Sequence, residues 1–422
     1  MERVARALYS ALLVMLSPLY RLRLRRRGAR EAAYLQHVDE RFGRYEGPDP
    51  GRRFLWLHAV SLGETRAAAP LVDALRRRRP GLPLLLTCST ATGREAGARL
   101  LRDGDVQAWL PYDMPGAVSR FLARFRPVAG VLMETEVWPN LLHAAQRDGV
   151  PVVLANARLS ERSAAKGRRL RWLLHPAAAR LHAVLAQTQA DAARLRDAGA
   201  PRVEVCGNLK FDVTPAPRLL ERGAQWRRAL GRPVVLAAST REGEEAALLA
   251  AWREQPAPRP LLLLVPRHPQ RFDAAATLLE QAGLSYARRS VWPGDPPPEA
   301  HALDAWLGDS MGEMPLYYAA ADVALLGGSF EPFGGQNLIE AAACGCPVVM
   351  GPHTFNFADA AALSLAARAS LRVKDMADGV QQAISLAEDG QRQRWAERAL
   401  AFAQAHRGAT ERMAERIDAL IA

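Results

Sequence analysis

The chain has 422 residues, of which 49% are hydrophobic and 24% are charged; this composition excludes a disordered protein and allows two domains of ordinary size. Its formal net charge of +12 predicts an anionic partner, which could be nucleic acid, a phosphorylated substrate or an acidic membrane face. The four cysteines lack the paired spacing of a zinc site, so we interpret them as small buried residues of a protein from a reducing compartment.

The N-terminus differs from the rest of the chain. An apolar run from Ala7 to Tyr20 is followed by arginines at positions 21, 23, 25, 26 and 27. The run is short for a bilayer span, which needs roughly 17–25 residues, and the heavier charge lies after it, unlike in a cleaved signal. Residues 1–28 are therefore predicted to be an uncleaved membrane anchor or a half-embedded helix, with the bulk of the chain on the cytoplasmic side. The alternative is a surface helix docked on a core.

From residue 54 onward, apolar runs alternate with small-residue loops and helix-like stretches. Strands that alternate with helices form parallel, doubly wound sheets, so the pattern predicts an α/β fold. The predicted strands are Phe54 to Val60, Leu84 to Leu86, Val128 to Met133, Val152 to Leu154, Val203 to Val205, Pro233 to Thr240, Leu261 to Val265, Val323 to Leu326 and Val348 to Met350.

A break in composition between residues 212 and 217 divides this pattern into two halves, because the segment has two prolines and no core pattern. We predict one domain over residues 29–213 and a second over residues 214–422. The segment 291–299 is predicted to be a proline-rich surface loop. The tail, residues 391–422, is predicted to be amphipathic helix, and its last helix can pack back on the first domain.

In the first half, acidic residues follow the apolar runs, at the sheet edge where ligands bind in open α/β sheets. Glu64 begins a predicted helix whose dipole favours its ionised form, so it is a candidate proton acceptor or else a residue that only stabilises its helix. Glu134 and Glu136 share a face if the chain is extended, which would raise one pKa or require a cation between them. Solvated loop acids are the alternative. Lys210 could balance this charge or be a lone exposed lysine.

In the second half, the apolar segment before Gly327-Gly328-Ser329 leads into a helix that opens at Asn337. This strand, glycine turn and helix N-terminus predict free backbone N–H groups where a phosphate can bind. Glu340, one turn into the helix, can accept hydrogen bonds from the hydroxyl groups of a sugar. The segment therefore indicates a sugar-nucleotide pocket.

Two other basic positions are candidates for binding the phosphate. Arg267 and His268 lie between two prolines, which stiffen the loop around a guanidinium group. Arg241 could serve similarly or pair with Glu244 or Glu245. The alternative for Arg267 is a surface arginine in a rigid turn.

Two motifs indicate other chemistry. Gly308 to Gly312 matches the GxSxG pattern of serine hydrolases, with Ser310 as nucleophile and Asp322 and His353 following in the hydrolase order. Few strands remain after it to carry the acid and the base, so a hydrolase is disfavoured. The pair Asp103 and Asp105 resembles a metal-binding DxD motif, but it precedes its apolar run, which favours a polar turn.

Taken in order, several segments resemble the bacterial 3-deoxy-D-manno-octulosonic acid (Kdo) transferases. The segments are HAVSLGETRAAAPL, METEVWPNL, NARLSERS, GNLKFD, PRHP, GDSMGEMPLYYAAADV, and GGS followed by GGQNLIEAA and GPHTFNF. The resemblance implies the GT-B architecture, in which two Rossmann-like domains face a central cleft, with an N-terminal anchor helix at the bacterial inner membrane. It also implies an inverting transfer of Kdo from CMP-Kdo to the lipid A precursor, lipid IVA, in the synthesis of the lipopolysaccharide core.

The resemblance also implies roles for individual residues. Glu64 would be the catalytic base, assisted by Glu134 and Lys210, and neither a metal nor a cofactor is expected. Gln336 and Arg241 stand where members of the family often have histidine, which affects only details of the donor loop. The donor would be held by Arg267, His268, Met311, Gly312, Glu313, Asn337, Leu338, Ile339 and Glu340.

Two competing classes remain open from the sequence. A GT-B glycosyltransferase that uses a UDP-sugar is the nearest alternative. A nucleic-acid-binding protein would explain the net charge, but aromatic residues make up only 7% of the chain and no recognition module occurs.

Overall fold

Two seven-stranded parallel sheets organise the chain. The computed structural model describes residues 2–29, 31–47, 49–388, 390 and 392–421. Unit 1 comprises Met1–Asp212 and Arg407–Ala422, and unit 2 comprises Val213–His406. Each unit contains one of the sheets, so the predicted doubly wound α/β class is confirmed.

The sheet of unit 1 has the order β3-β2-β1-β4-β5-β6-β7. The chain enters at the centre, builds towards one edge and then crosses to the other side, so the direction reverses between β1 and β4. Such a reversal is the topological switch point, where ligands bind at the carboxyl ends of the strands. The strands are β1 (Leu55–His58), β2 (Leu84–Cys88), β3 (Val106–Trp109), β4 (Ala129–Met133), β5 (Val152–Ala157), β6 (Ala183–Ala186) and β7 (Val203–Val205).

Helices cover both faces of this sheet because successive strand residues point to opposite sides. Trp56 belongs to one core, with Phe121 and Phe125, whereas Leu57 belongs to the other, with Leu71. The helices are α1 (Glu2–Met15), α2 (Ser17–Gly28), α3 (Leu62–Arg78), α4 (Ala91–Ala98), α5 (Pro115–Phe125), α6 (Pro139–Arg147), α7 (Glu161–Arg168), α8 (Arg171–Ala178), α9 (Gln189–Asp197) and, from the C-terminus, α18 (Ala409–Asp418).

Unit 2 repeats this plan with the order β10-β11-β9-β8-β12-β13-β14, and its switch point lies between β8 and β12. Its strands are β8 (Val234–Thr240), β9 (Leu261–Pro266), β10 (Tyr286–Arg288), β11 (Ala305–Leu307), β12 (Val323–Leu326), β13 (Val348–Met350) and β14 (Ser370–Arg372). Its helices are α10 (Pro217–Leu230), α11 (Glu244–Arg253), α12 (Phe272–Gln281), α13 (Met314–Ala320), α14 (Leu338–Ala343), α15 (Ala358–Ala366), α16 (Met376–Glu388) and α17 (Arg392–Ala405).

The pattern of apolar runs did not predict five of the strands: β3, β6, β10, β11 and β14. Each has three or four residues and includes alanine, serine, arginine or glutamine. Segments this short carry little periodic signal, and pairing with longer neighbours stabilises them as strands. Three of the five, β3, β10 and β14, form sheet edges.

One segment prediction is corrected and another is confirmed. The proposed surface loop at residues 291–299 is partly a core element, because Trp292 is buried against Trp226 and Trp306 with ring centroids 5.8 and 5.1 Å away. The C-terminal tail is helical, as predicted, and forms two helices. Gly408, with φ of +89°, separates α17 from α18.

The N-terminal apolar run is divided between two helices. Pro18 lies in the first turn of α2, where its missing N–H is tolerated, and α1 ends three residues earlier at Met15. Throughout the described part of the chain, no helix combines the length and the apolar character needed to cross a membrane. Tyr20, at the fourth position of α2, stacks on Tyr112 with ring centroids 4.7 Å apart, which attaches this segment to unit 1.

Helix α18 completes one core of unit 1. Its Met413, Ala414 and Ile417 are fully buried in the same cluster as Leu71 of α3. The Asp212 carboxylate accepts hydrogen bonds from the backbone N–H groups of Gly408 and Thr410, which satisfies donors at the start of the helix. The last residues of the chain therefore stabilise unit 1.

We expect Ile417→Ala to lower the free energy of unfolding of unit 1 by about 2–5 kcal/mol, because it leaves a cavity beneath α3. Urea denaturation, with hydrogen exchange in α3 identifying the unit affected, measures the change. Glu415→Ala, on the exposed face of the same helix, should change the value by no more than about 0.5 kcal/mol. Equal effects of the two substitutions would contradict this packing role.

Candidate active site

Glu64 lies in the first turn of α3, directly after β1 at the switch point of unit 1. Its Oε2 accepts a hydrogen bond from the backbone N–H of Val60 at 2.8 Å, and its Oε1 accepts one from the Ser61 hydroxyl at 3.2 Å. The Ser61 oxygen in turn accepts the Glu64 N–H at 3.4 Å. Ser61 and Glu64 thus bond reciprocally as in a capping box, except that the glutamate accepts the N–H of Val60 in place of that of the N-cap Ser61. The same carboxylate therefore stabilises its helix and lies at the ligand-binding edge of the sheet.

The predicted effect of the helix dipole on Glu64 does not decide its protonation. Burial raises the pKa of its carboxyl group to about 7, and the charges of Glu134 and Glu136 act in the same direction. Hydrogen bonds from Val60 and Ser61 oppose the rise without cancelling it. Desolvation has the largest effect on the pKa because the side chain is half-buried. A carboxyl group with a pKa near neutrality is well suited to accept a proton from a substrate.

Glu134 and Glu136 follow β4, on the other side of the switch point, and they take separate partners. The chain is not extended at Glu134, where φ is +60°, so the predicted shared face is wrong. Glu134 forms an ion pair with Arg158 at 2.9 Å, whereas Glu136 accepts the indole N–H of Trp138 at 2.7 Å. Burial, more than the charge of Glu134, raises the pKa of Glu136.

Sequence reasoning missed His58, the last residue of β1. The ring is fully buried, and its Nδ1 lies 3.0 Å from the backbone oxygen of Thr87. Its Nε2 is 3.8 Å from Glu136 and has no hydrogen-bond partner among the described residues. Burial lowers its pKa to about 4, so the ring is neutral at pH 7. Its place at the end of an apolar run, immediately before the glutamate loop, was the available signal.

The loop that carries Lys210 is held by two asparagines. Asn208 Oδ1 accepts the backbone N–H of Lys210 at 3.0 Å, and Asn156 Oδ1 accepts that of Leu209 at 3.1 Å. Asn156 is in β5, so this second bond ties the loop after β7 to a strand two positions closer to the switch point.

In unit 2, Arg267 and His268 directly follow β9, and both are half-buried. The Nε of Arg267 donates to Gln336 Oε1 at 3.3 Å. Burial raises the pKa of Glu340, and the positive charge of Arg267 opposes that rise. Burial also lowers the pKa of His268, with the charges of Arg241 and Arg267 adding to the effect. The structure thus brings Arg267, Gln336 and Glu340 together.

The helix opening at Asn337 has the predicted form. The Asn337 side chain accepts the N–H of Ile339 at 3.2 Å and caps α14. Leu338 and Ile339 are fully buried, so their side chains are not available to a ligand. Glu340 is partly exposed on the same helix, so its carboxylate is available to a ligand.

The glycine turn after β12 is not a set of free donors, contrary to the prediction. Glu244, the first residue of α11, is fully buried, and its carboxylate accepts the backbone N–H groups of Gly328, Phe330 and Glu331 at 2.8, 3.1 and 3.4 Å. It also accepts the N–H of Arg241 at 2.8 Å. An internal carboxylate therefore occupies the donors that the sequence assigned to a phosphate.

The alternative in which the Arg241 side chain pairs with Glu244 or Glu245 is not found; its Nε lies 3.5 Å from Glu242 instead. The Arg241 guanidinium lies over the Phe333 ring, 4.3 Å from its centroid. Glu245 instead forms an ion pair with Arg271 at 2.9 Å. Arg241 is thus held close to the glycine turn by its backbone and by an aromatic ring.

Met311, Gly312 and Glu313 lie between β11 and α13. The Met311 side chain is 65% exposed, and Gly312 has φ of +82°, which favours glycine. Glu313 forms an ion pair with Arg289 at 2.8 Å. The three residues are thus a turn with an exposed apolar side chain beside a paired acid.

The serine-hydrolase interpretation fails on geometry. Ser310 donates to Glu313 Oε2 at 2.5 Å rather than to a histidine. The proposed acid, Asp322, is fully engaged in ion pairs with Arg227 at 2.9 Å and Arg392 at 2.7 Å. Ser310 and Asp322 are therefore not placed as the nucleophile and the acid of a catalytic triad.

We expect Glu244→Gln to lower the free energy of unfolding of unit 2 by about 1–3 kcal/mol, because the amide nitrogen cannot accept the backbone donors of the turn. Thermal unfolding and hydrogen exchange at residues 327–331 measure the effect. Glu242→Gln removes the same charge from an exposed neighbour and is the control. If exchange in the turn is equally fast in both variants, Glu244 does not hold it.

A protein-family model described as 3-deoxy-D-manno-octulosonic-acid transferase (kdotransferase) matches residues 36–213. The chain is 51% identical over 429 residues to the 3-deoxy-D-manno-octulosonic acid transferase of Bordetella pertussis, covering 98% of this chain and 99% of that protein. It is 35% identical over 388 residues to the enzyme of the same name from Haemophilus influenzae, covering 90% of each.

Two solved structures resemble the fold. A glycosyltransferase from Rickettsia africae matches with a TM-score of 0.56 at 12% identity, over 88% of this chain and 99% of that one. The Anabaena protein HepE, in complex with UDP, matches with a TM-score of 0.56 at 16% identity, over 87% and 100%. At these identities the likeness concerns the fold alone, and it supports the GT-B class. The sequence matches show the family: the chain belongs to the 3-deoxy-D-manno-octulosonic acid (Kdo) transferases, glycosyltransferases that transfer Kdo in lipopolysaccharide synthesis.

Proposed function

We propose that this enzyme transfers Kdo from CMP-Kdo to a hydroxyl group of a phosphorylated lipid A precursor, lipid IVA, with Glu64 as the catalytic base. The observation that carries the proposal is the Glu64 carboxyl group, half-buried at the switch point of unit 1 with a pKa of about 7. Membership of the family identifies Kdo as the transferred sugar. The acceptor, the donor nucleotide and the roles of individual residues belong to the proposal.

Glu64 has room to act as a base despite its capping role. Each of its oxygens accepts one hydrogen bond from the protein, from Val60 and from Ser61, and a carboxylate oxygen can accept two. An acceptor hydroxyl can therefore donate to the same carboxylate without breaking the capping box. Glu134, which forms an ion pair with Arg158, supports the high pKa of Glu64 through its charge.

The proposed reaction is a single displacement with inversion. The acceptor oxygen forms a bond to the anomeric carbon of Kdo while its proton passes to Glu64. On the opposite face, the bond from that carbon to the phosphate oxygen breaks, and its electron pair leaves with CMP. Lys210 is assigned to the Kdo carboxylate, since a cation there offsets charge beside the reacting carbon.

The donor residues are assigned to unit 2. Arg267 is proposed to stabilise the leaving phosphate, together with the backbone at the start of α14, and Glu340 to accept hydroxyl groups of the nucleotide sugar. Met311, Gly312 and Glu313 are proposed to form an exposed turn that contacts the nucleobase of the donor. The glycine turn after β12 contributes shape rather than donors, because Glu244 occupies its N–H groups.

Membrane binding is proposed to occur through α1 and α2 lying on the surface of the bilayer. The inward side of α1 is attached to unit 1, where Ser10 donates to Asn140 at 3.1 Å and Tyr9 hydrogen-bonds Asp113. The outward side has an apolar stripe whose side chains are between 44% and 70% exposed: Val4, Leu8, Leu12, Met15, Leu19 and Leu22. An exposed apolar stripe with arginines beside it is typical of helices that lie in the interface, and it favours the cytoplasmic face of the inner membrane.

Glu64→Gln should reduce kcat by about 10²–10⁴-fold, because it removes the base while glutamine can still complete the capping box. Wild-type kcat/KM should fall about tenfold per pH unit below pH 7, since protonated Glu64 cannot accept a proton. In the variant the residual rate should lose this acid limb. Transfer from CMP-Kdo to lipid IVA, followed by mass spectrometry across pH 5–9, measures both effects.

As a control, the folding of Glu64→Gln and its binding of the donor nucleotide are compared with those of the wild type. Its thermal midpoint and its stabilisation by CMP should match those of the wild type, with CMP stabilising both more than UDP does. Ser61→Ala weakens the capping box without removing the base, so it should lower stability by about 0.5–2 kcal/mol and keep the acid limb. Near-normal turnover by Glu64→Gln would remove this residue from the role of base.

The double variant Leu8→Glu, Leu12→Glu should lose most of its binding to vesicles that contain anionic phospholipid, because it places charge in the apolar stripe. Co-sedimentation at low and high salt measures the bound fraction. Leu363→Glu, an exposed leucine on α15, is the matched control and should bind as the wild type does. Undiminished sedimentation of the double variant would refute a docking role for α1.

A further inference from the structure

A cavity of about 360 Å³ opens beside the Glu64 loop in unit 1. Its wall includes Val60, whose N–H donates to Glu64, and Ser89, whose N–H donates to the Val60 carbonyl oxygen. Three arginines also line it, Arg23 and Arg27 from α2 and Arg41 from the turn Val38–Phe42. The cavity therefore joins the basic N-terminal segment to the loop that bears the proposed base.

Arg41 is the unusual member of this group. It is only 5% exposed, and its Nη2 donates to the backbone oxygen of Ser89 at 3.2 Å. Its guanidinium lies 3.8 Å from the centroid of the Trp109 ring. Its Nε is buried and has no hydrogen-bond partner among the described residues. A buried guanidinium with an unused donor costs free energy unless an anion completes its bonding.

The neighbouring carboxylates do not supply that anion. Glu40 is engaged by Arg94 at 3.1 Å and by the backbone N–H of Trp109 at 2.8 Å. Glu136 lines the cavity, but its Oε2 accepts the indole N–H of Trp138 at 2.7 Å. In the described part of the chain, none of the ion pairs involves Arg23, Arg27 or Arg41. The cavity is therefore lined by three guanidinium groups and by one carboxylate, that of Glu136, which is already hydrogen-bonded.

We propose that this cavity binds a phosphate monoester carried by the sugar acceptor, with Arg41 as the central contact and Arg23 and Arg27 at the entrance. The proposal rests on the proposed function, since it takes the acceptor to be a phosphorylated glycolipid. Guanidinium groups match the tetrahedral oxygens of phosphate through paired donors. The cavity size suits a phosphate with the adjoining part of its sugar, and binding it there would bring a hydroxyl group of the same glycolipid towards Glu64.

The test compares lipid IVA with the same tetraacyl disaccharide after its phosphates are removed, both in neutral detergent micelles. For the wild type, KM should be about 10–100-fold lower with the phosphates present, the range expected for hydrogen bonds to charged groups. Arg41→Gln and Arg23→Gln should raise KM for lipid IVA, and they should leave KM for the dephosphorylated acceptor and for CMP-Kdo unchanged. Arg26→Gln, which removes an exposed charge from the same helix but does not line the cavity, should leave the ratio of the two acceptor KM values as in the wild type.

Several results would overturn the proposal. Equal KM values for both acceptors in the wild type would exclude a phosphate site, and equal effects of Arg23→Gln and Arg26→Gln would indicate only general attraction. If Arg41→Gln reduces binding to phosphatidylglycerol vesicles but leaves the acceptor ratio unchanged, the cavity binds a phospholipid headgroup instead. Because Arg23 is exposed, its variant decides the matter if Arg41→Gln does not fold. Absence of any transfer from CMP-Kdo by the wild type would instead refute the proposed function.

Discussion

Burial of a carboxylate at the carboxyl end of the first strand of each sheet is the constraint on which both candidate sites depend. Glu64 follows β1 and Glu244 follows β8, and each lies in the first turn of the next helix. Both carboxylates accept backbone N–H groups of their own loop. The two acids differ in how many further donors surround them. Glu244 takes three from the loop after β12 and is closed off, whereas Glu64 keeps acceptor capacity and partial exposure.

The same local arrangement therefore has a structural role at Glu244 and a proposed chemical role at Glu64. With no access to solvent, Glu244 can only fix the shape of the glycine turn. Glu64 has lost enough hydration for its pKa to rise to about 7, yet its side chain remains partly exposed. Two other acids near Glu64, Glu134 and Glu136, contribute to that rise because they follow β4, which pairs directly with β1. The strand order therefore contributes to the raised pKa of Glu64, the proposed base.

Much of this arrangement could be predicted from local sequence. The alternation of apolar runs and helices predicted the α/β class, and nine strands were located because most of their residues are apolar and, except in β7, buried. Strand β11, with the sequence AWL, was missed because three residues carry no period and it lacks the valines that marked the equally short β7 and β13. The segment with Trp292 was misassigned because its prolines suggest a surface loop, while a buried cluster of three tryptophans forms only in the folded unit.

In the candidate sites, too, some features could be predicted from local sequence and others depend on long-range contacts. Glu64, Arg267 and the cap at Asn337 were predicted from their positions after strands, because helix starts and strand ends have local signatures. His58, Arg158 and Arg41 were not singled out, since their importance comes from neighbours distant in the chain. The assignment of free donors to the glycine turn failed for the same reason, because Glu244 is more than 80 residues away.

By itself, the sequence determined the class of fold, the family and the residues at the strand ends, since these depend on short-range pattern and on motif identity. Only the tertiary structure decided which strand ends are neighbours, which donors are already satisfied and which charges are desolvated. Those properties depend on strand order and on burial, and both arise when segments far apart in the chain pack together.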